Sequence, residues 1–227
     1  MSRPLSLVLP LLCFVISALD LAAQKGLDSL MRSYDLVDLQ HLEPSIRVEL
    51  RYSTTNNFIG EDMYGDLKRA YLEPSFARRI VRAQQLLQNT HPGYCLLIYD
   101  AARPLSVQAR MYARVADTPL KIYVAPARQG GRHNYGVAVD LTIADPKGKP
   151  LDMGTDFDHF GEEAHVGDEA ERVRQGKLGR EAAQNRALLY EIMRAVGLRP
   201  YNKEWWHYQE TIPMSEVRKR YRLINDL

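Results

Sequence analysis

Apolar positions recur along the chain with two different periods, and each change of period marks an element. Ile46, Val48, Leu50 and Tyr52 alternate with Arg47, Glu49, Arg51 and Ser53, the period of a half-buried strand, and the polar cluster Thr54 to Asn57 ends it. From Ser75 to Asn89 the period becomes helical: Phe76, Ile80, Ala83 and Leu87 share one face, while Arg78, Arg79, Arg82 and Gln85 lie off it. Pro92-Gly93 stops that helix. Tyr94 to Tyr99 is a continuous apolar run of strand length, which predicts a buried strand. Pro104 suits the first turn of a following helix that carries Val107, Met111 and Val115. Lys121 to Arg132 has no clear period and contains Gly130-Gly131, so it reads as a long loop delivering His133.

A strand follows from Gly136. Val137, Val139, Leu141 and Ile143 point one way, and Ala138, Asp140 and Thr142 the other, so Asp140 sits opposite the aliphatic row among small neighbours. Asp145 to Pro150 is a turn by composition, Met153 to Asp158 lacks a strong period, and the charged, glycine-rich stretch Gly161 to Gly179 reads as an exposed loop. Arg180 to Val196 predicts a helix with Arg186, Leu189, Met193 and Val196 aligned, stopped by Gly197, and Glu204 to Gln209 predicts the last strand. There is no internal repeat. This order favours a single α+β domain with helices packed on a mostly antiparallel sheet.

The N-terminus changes the picture. Ser2-Arg3 precedes the apolar run Leu5 to Leu19, too short to span a bilayer comfortably, and Leu21-Ala22-Ala23 follows. That describes a secretory signal peptide over residues 1–23, cleaved near Ala23, with a domain over 24–227 that is exported, periplasmic or secreted, and has no stable membrane insertion afterwards. Cleavage would remove Cys13 and leave Cys95 alone, without an internal disulfide. A formal net charge of +2, with acids and bases interspersed, gives no electrostatic reason to expect nucleic acid as a partner.

The candidate chemistry lies in Gly131-Arg132-His133-Asn134-Tyr135-Gly136-Val137-Ala138-Val139-Asp140 and Glu204-Trp205-Trp206-His207. Two imidazoles and a carboxylate are the three protein ligands of a catalytic zinc site, which keeps a position open for water. Two cysteines are too few for a closed cysteine site. His133, Asp140 and His207 are therefore the expected ligands of one Zn²⁺, and Glu204 is left for proton transfer. Residues three apart on a flat strand face opposite ways, so Glu204 and His207 share a site only across a bend or bulge. Arg103 in Asp100-Ala101-Ala102-Arg103-Pro104 is the candidate cation for a developing oxyanion. Trp205 and Trp206 are expected to pack rather than to bind substrate.

The order H-x(6)-D followed by E-x-W-H resembles the zinc D-alanyl-D-alanine dipeptidases, the VanX-like branch of the D,D-peptidases. Tyr52 to Gly60, Asp100 to Pro104 and Met153 to Asp158 are similar to further segments of that family, so the likeness runs from about Val37 to about Arg222. The resemblance implies a hedgehog/D,D-peptidase-like fold and hydrolysis of the small dipeptide D-Ala-D-Ala in cell-wall turnover or salvage. It implies Glu204 as base, Arg103 as transition-state stabiliser and, by position in its segment, Asp158 as the group that binds the substrate ammonium. One departure stands out: the family commonly has serine two residues before its first zinc histidine, where this chain has Gly131. A murein carboxypeptidase or endopeptidase on longer peptides, and a zinc-stabilised module without turnover, are the competing readings.

Overall fold

The computed structural model describes residues 26–128 and 130–225. The segment expected to be a signal peptide, 1–23, lies outside the described residues. Strand β1 (Val37–Asp38) pairs with β3 (Tyr71–Leu72) as a small antiparallel ribbon. The central sheet has the order β2-β4-β5-β7-β6, formed by β2 (Arg47–Val48), β4 (Cys95–Asp100), β5 (Ala138–Ala144), β7 (Glu204–Gln209) and β6 (Arg199–Tyr201). Only β2 and β4 run parallel; the other pairs are antiparallel, as an α+β domain of this order predicts.

The helices are α1 (Leu27–Ser33), α2 (Leu39–Leu42), α3 (Pro74–Thr90), α4 (Leu105–Val115), α5 (Glu169–Arg174), α6 (Arg180–Ala195) and α7 (Met214–Arg220). Helix α3 starts where Glu73 accepts from the N–H groups of Ser75 and Phe76, with Pro74 in the first turn, where a missing N–H costs nothing. Its face of Phe76, Ala77, Ile80, Ala83 and Leu87 is wholly buried. Each large apolar side chain there contributes about 1.5–3 kcal/mol. Helix α6 buries Ala182, Arg186, Leu189 and Met193. The two helices pack on each other, α3 also against β4 and α6 against β5. Trp205 and Tyr208 of β7 face the α6 side, where they line a cavity with Ala183, Arg186 and Tyr190.

Several local expectations need correction. The alternation from Ile46 to Tyr52 forms a ladder only at Arg47–Val48; the chain then coils into a 3-10 turn, Arg51–Ser53, that buries Arg51, Tyr52 and Ser53 together. Tyr52 is drawn inward by aromatic partners from distant segments, Phe58, Tyr64 and Phe157, and that gain outweighs strand pairing. The stretch 161–179 is no featureless loop: it contains a 3-10 turn, Glu162–Ala164, and α5, with Ala164 fully buried. Pro104 precedes α4 as its cap rather than sitting inside its first turn. Gly136 is a left-handed cap (φ 67°) and β5 starts at Ala138. A Cβ at Gly136 would lie 2.9 Å from Glu73 N and 3.0 Å from Leu36 Cδ2, so only glycine lets the turn carrying His133 approach the start of α3.

Candidate active site

Two strand irregularities aim the site. In the β4–β5 ladder, Ile98 pairs with Leu141 but Asp100, not Tyr99, pairs with Asp140. The extra residue puts both carboxylates on the same face of adjacent strands. In the β6–β7 hairpin, one step from Pro200 to Tyr201 spans Tyr208 back to Glu204 on β7. Glu204 and Trp206, then His207 and Gln209, all line one cleft, whereas Trp205 and Tyr208 face away. The parity of the strand therefore switches between Trp206 and His207. This is the local irregularity that a shared site for Glu204 and His207 requires.

The cleft has a volume of about 390 Å³ and takes walls from Arg103, His133, Asp140, Asp158, Glu204 and His207. Every one of the six site residues singled out from sequence lines it. His133 Nε2 lies 3.2 Å from His207 Nδ1 and 3.4 Å from Asp140 Oδ1, and His207 Nδ1 lies 2.9 Å from Asp140 Oδ1. The other ring nitrogen of His133 meets the Ala101 carbonyl at 2.7 Å, which fixes the ring and leaves Nε2 free for the cluster. A tetrahedral ion with bonds of about 2.0–2.2 Å needs donor–donor edges of about 3.3–3.6 Å. The observed triangle is within a few tenths of an ångström of that. Two imidazoles and a carboxylate thus fit a divalent metal with one side left open toward the cleft. Among the described residues, these three form the group able to hold a metal, with donor atoms within 4.8 Å of one another.

Charges in the cleft are strongly coupled. Burial works against the charged form of Asp140, yet the two imidazoles, His133 first, hold its carboxyl well below the usual carboxylate range. Burial likewise opposes the His207 cation, but the Asp140 hydrogen bond and charge prevail and raise it to about 9. Glu204, 9% exposed and 3.8 Å from His207 Nδ1, is pushed up to about 7, chiefly by burial. A carboxyl balanced near neutrality can both accept and return a proton.

Arg103 lines the same cleft. Its guanidinium pairs with Asp100, donates to Gln108 Oε1 at 2.9 Å and lies over the Tyr52 ring at 5.1 Å. Burial opposes its charge, but Asp100 and the neighbouring tyrosines keep it a cation throughout. Asp100 is itself fully buried and receives the Tyr64 hydroxyl at 2.6 Å. Asp158 also lines the cleft. It accepts from the Tyr52 hydroxyl at 3.1 and 3.2 Å and from the Phe58 N–H at 3.3 Å, and adopts φ 61°, rare for a residue with a side chain. Burial and the nearby Asp140 charge hold its carboxyl well above the carboxylate range.

The model of the D-Ala-D-Ala dipeptidase family matches residues 32–222, most of the chain and all six of these positions. The chain belongs to that dipeptidase family. Among curated proteins it is similar to the D-alanyl-D-alanine dipeptidase of Escherichia coli (strain K12), 32% identical over 175 residues, 77% of this chain and 84% of that protein. The like-named protein of Streptomyces coelicolor is 30% identical over 194 residues, covering 77% and 90% respectively. That of Synechocystis is 26% identical over 169 residues, covering 61% and 68%. In this family member, sequence reasoning missed Asp100, Gln108 and Tyr52 as supports of Arg103 and Asp158. Asp100 shares a loop with Arg103 and Tyr52 a segment with Phe58, but the alternation at Tyr52 reads as a strand and nothing in the loop sequence shows that Asp100 pairs with Arg103. Trp206 is 1% exposed, as packing requires, yet its edge still lines the cleft.

Proposed function

We propose that the protein hydrolyses D-alanyl-D-alanine to two D-alanines, with one zinc ion held by His133, Asp140 and His207. The observation that carries this reading is the convergence on one cleft of a three-donor metal site, the buried carboxyl of Glu204 beside it, a fixed guanidinium and the carboxyl of Asp158. Bound zinc supplies a Lewis acid that polarises the scissile carbonyl and makes water more acidic. Glu204 takes the proton from the attacking water and returns it to the departing amine. Arg103 holds a positive charge where the carbonyl oxygen becomes negative, fixed in place by Asp100 and Gln108 so that no reorganisation is needed during reaction. Asp158 receives the substrate's free ammonium; the arriving cation draws its carboxyl to the anion, which Tyr52 and the Phe58 N–H already solvate.

The short basic start and apolar run Leu5 to Leu19 support action outside the cytoplasm, in turnover or salvage of wall dipeptides. Among the described residues no helix is long and apolar enough to cross a membrane. The test is D-alanine release by the zinc-loaded protein from D-Ala-D-Ala, N-acetyl-D-Ala-D-Ala and a muropeptide. We expect the free dipeptide to be strongly preferred, with only weak cleavage of the N-acetylated form and none of the muropeptide. Cleavage of the blocked or longer substrates as efficient as that of the free dipeptide would move the reading to a carboxypeptidase or endopeptidase, and cleavage of none would leave a zinc-stabilised module.

A further inference from the structure

Asp158 lies on a segment, residues 153–165, that has almost no regular structure, yet it must hold a carboxyl in a left-handed backbone conformation, uncommon outside glycine although aspartate adopts it more readily than most. Tyr52 and Tyr123 hold that segment from the cleft side and Arg172 shares the carbonyls of Glu163 and His165, but the ties that span it from end to end come from behind the sheet. Arg186 of α6 is 4% exposed and stands on the helix face shared with Leu189 and Met193. No carboxylate lies within ion-pair distance of it among the described residues. Its guanidinium is spent on three backbone carbonyls: Nε donates to Met153 O at 2.7 Å, Nη2 to Glu163 O at 2.8 Å and Nη1 to His165 O at 3.2 Å. One acceptor precedes Asp158 and two follow it. Asn185, next on the helix, donates to Asp152 O at 2.8 Å, just before the segment.

We propose that Arg186, aided by Asn185, is a clamp that positions Asp158, and so sets the preference of the cleft for a substrate with a free ammonium. Neither residue reaches the cleft; both act through the segment they hold. Burying a cation against carbonyls alone is costly, so its presence on an otherwise apolar helix face calls for a return elsewhere. The fork of a guanidinium is what spans both ends of the segment, and a lysine ammonium, with donors radiating from a single atom, does not reach three acceptors so placed. Between the clamped ends, Trp205 Nε1 also donates to Thr155 Oγ1 at 2.8 Å. The same segment delivers Phe157, against Tyr52, and Phe160, against Phe58, so its displacement also moves the aromatic wall beside Asp158.

This inference rests on Asp158 as the ammonium reader, and the experiment separates the two. In the zinc-loaded full chain, kcat and KM are measured for D-Ala-D-Ala and for its N-acetylated form in wild type, Asp158→Asn, Arg186→Lys and the double variant. Displacement of a binding group by about 1 Å costs up to about 100-fold. We expect Arg186→Lys to raise KM for the free dipeptide at least tenfold, to change kcat less than threefold, and to shrink the preference for the free amine. The double variant should be no worse than Asp158→Asn. A plain loss of structure would instead lower cleavage of both substrates together and shift kcat. An unchanged preference in Arg186→Lys, with a reduced one in Asp158→Asn, overturns the clamp alone. An unchanged preference in both overturns the ammonium reading and the clamp with it. Should Arg186→Lys fail to fold, Asn185→Ala cuts the exposed tie only; a smaller shift in the same direction supports the clamp, and none overturns it.

Discussion

Replacing Glu204 by glutamine should make the metal-free protein more stable and the loaded enzyme nearly inactive, for one and the same reason. The carboxyl is 9% exposed and its pKa is raised from 4.5 to about 7, mainly by burial. Between those values the folded state keeps a proton that the unfolded state has released, so stability falls as pH rises through the window. The interval from 4.5 to about 7 at about 1.4 kcal/mol per pH unit amounts to about 3 kcal/mol, fully lost above pH 7. Glutamine has nearly the same shape and no charge to desolvate. Glu204→Gln should therefore match the wild type at pH 4 and exceed it by up to about 3 kcal/mol at pH 8, an increase in Tm of roughly 10 °C for a domain this size. Its turnover should fall by about 10² to 10⁴, the worth of a general acid-base. The assay pairs chelator-treated thermal melts at pH 4 and 8 with D-alanine release by the zinc-loaded proteins at matched metal content. Turnover within tenfold of wild type, or a stability gain equal at both pH values, would refute the assignment of a buried, proton-carrying carboxyl at this position.

Arg103→Lys keeps the charge but cannot satisfy Asp100 and Gln108 together while lying over Tyr52; kcat should drop by about 10²-fold with KM little changed, seen in steady-state kinetics. Metal affinity should rise with pH. The His207 imidazole, raised from 6.5 to about 9 in the metal-free site, must lose its proton to bind, so affinity should gain roughly tenfold per unit from pH 7 to 9 in a competition titration. The apoprotein should do the reverse: the His207–Asp140 ion pair stabilises it fully below pH 6.5 and is lost as pH climbs through about 9, which lowers the apo contribution to Tm. Gly136→Ala should cost at least 1–2 kcal/mol in urea unfolding, because φ is 67° there and the added Cβ meets Glu73 N at 2.9 Å.

The sequence by itself determined the elements whose signal is local. Helices α3 and α6 and strand β5 followed from periodicity, because the residues that share a face lie within a few positions of one another and their burial repeats regularly. It also offered the candidate donor set, because two imidazoles and a carboxylate are the ligand types of a catalytic zinc site. Tertiary structure alone decided how those groups meet. His133 and His207 are 74 residues apart and 3.2 Å distant, and their encounter depends on β5 and β7 being neighbours in the sheet. The bulge at Tyr99 that sets Asp100 beside Asp140 leaves no mark in an unbroken apolar run. Tyr52 obeys a strand pattern yet turns inward, because three distant aromatic rings outbid one more ladder pair. Helix α5 and the turn before it look like open loop because six residues or fewer carry too little periodicity to read. Their order comes instead from Arg172 and Arg186, whose guanidinium groups gather the carbonyls of Glu163 and His165. A pattern of neighbours records what each segment buries; only the folded chain records which segment it is buried against.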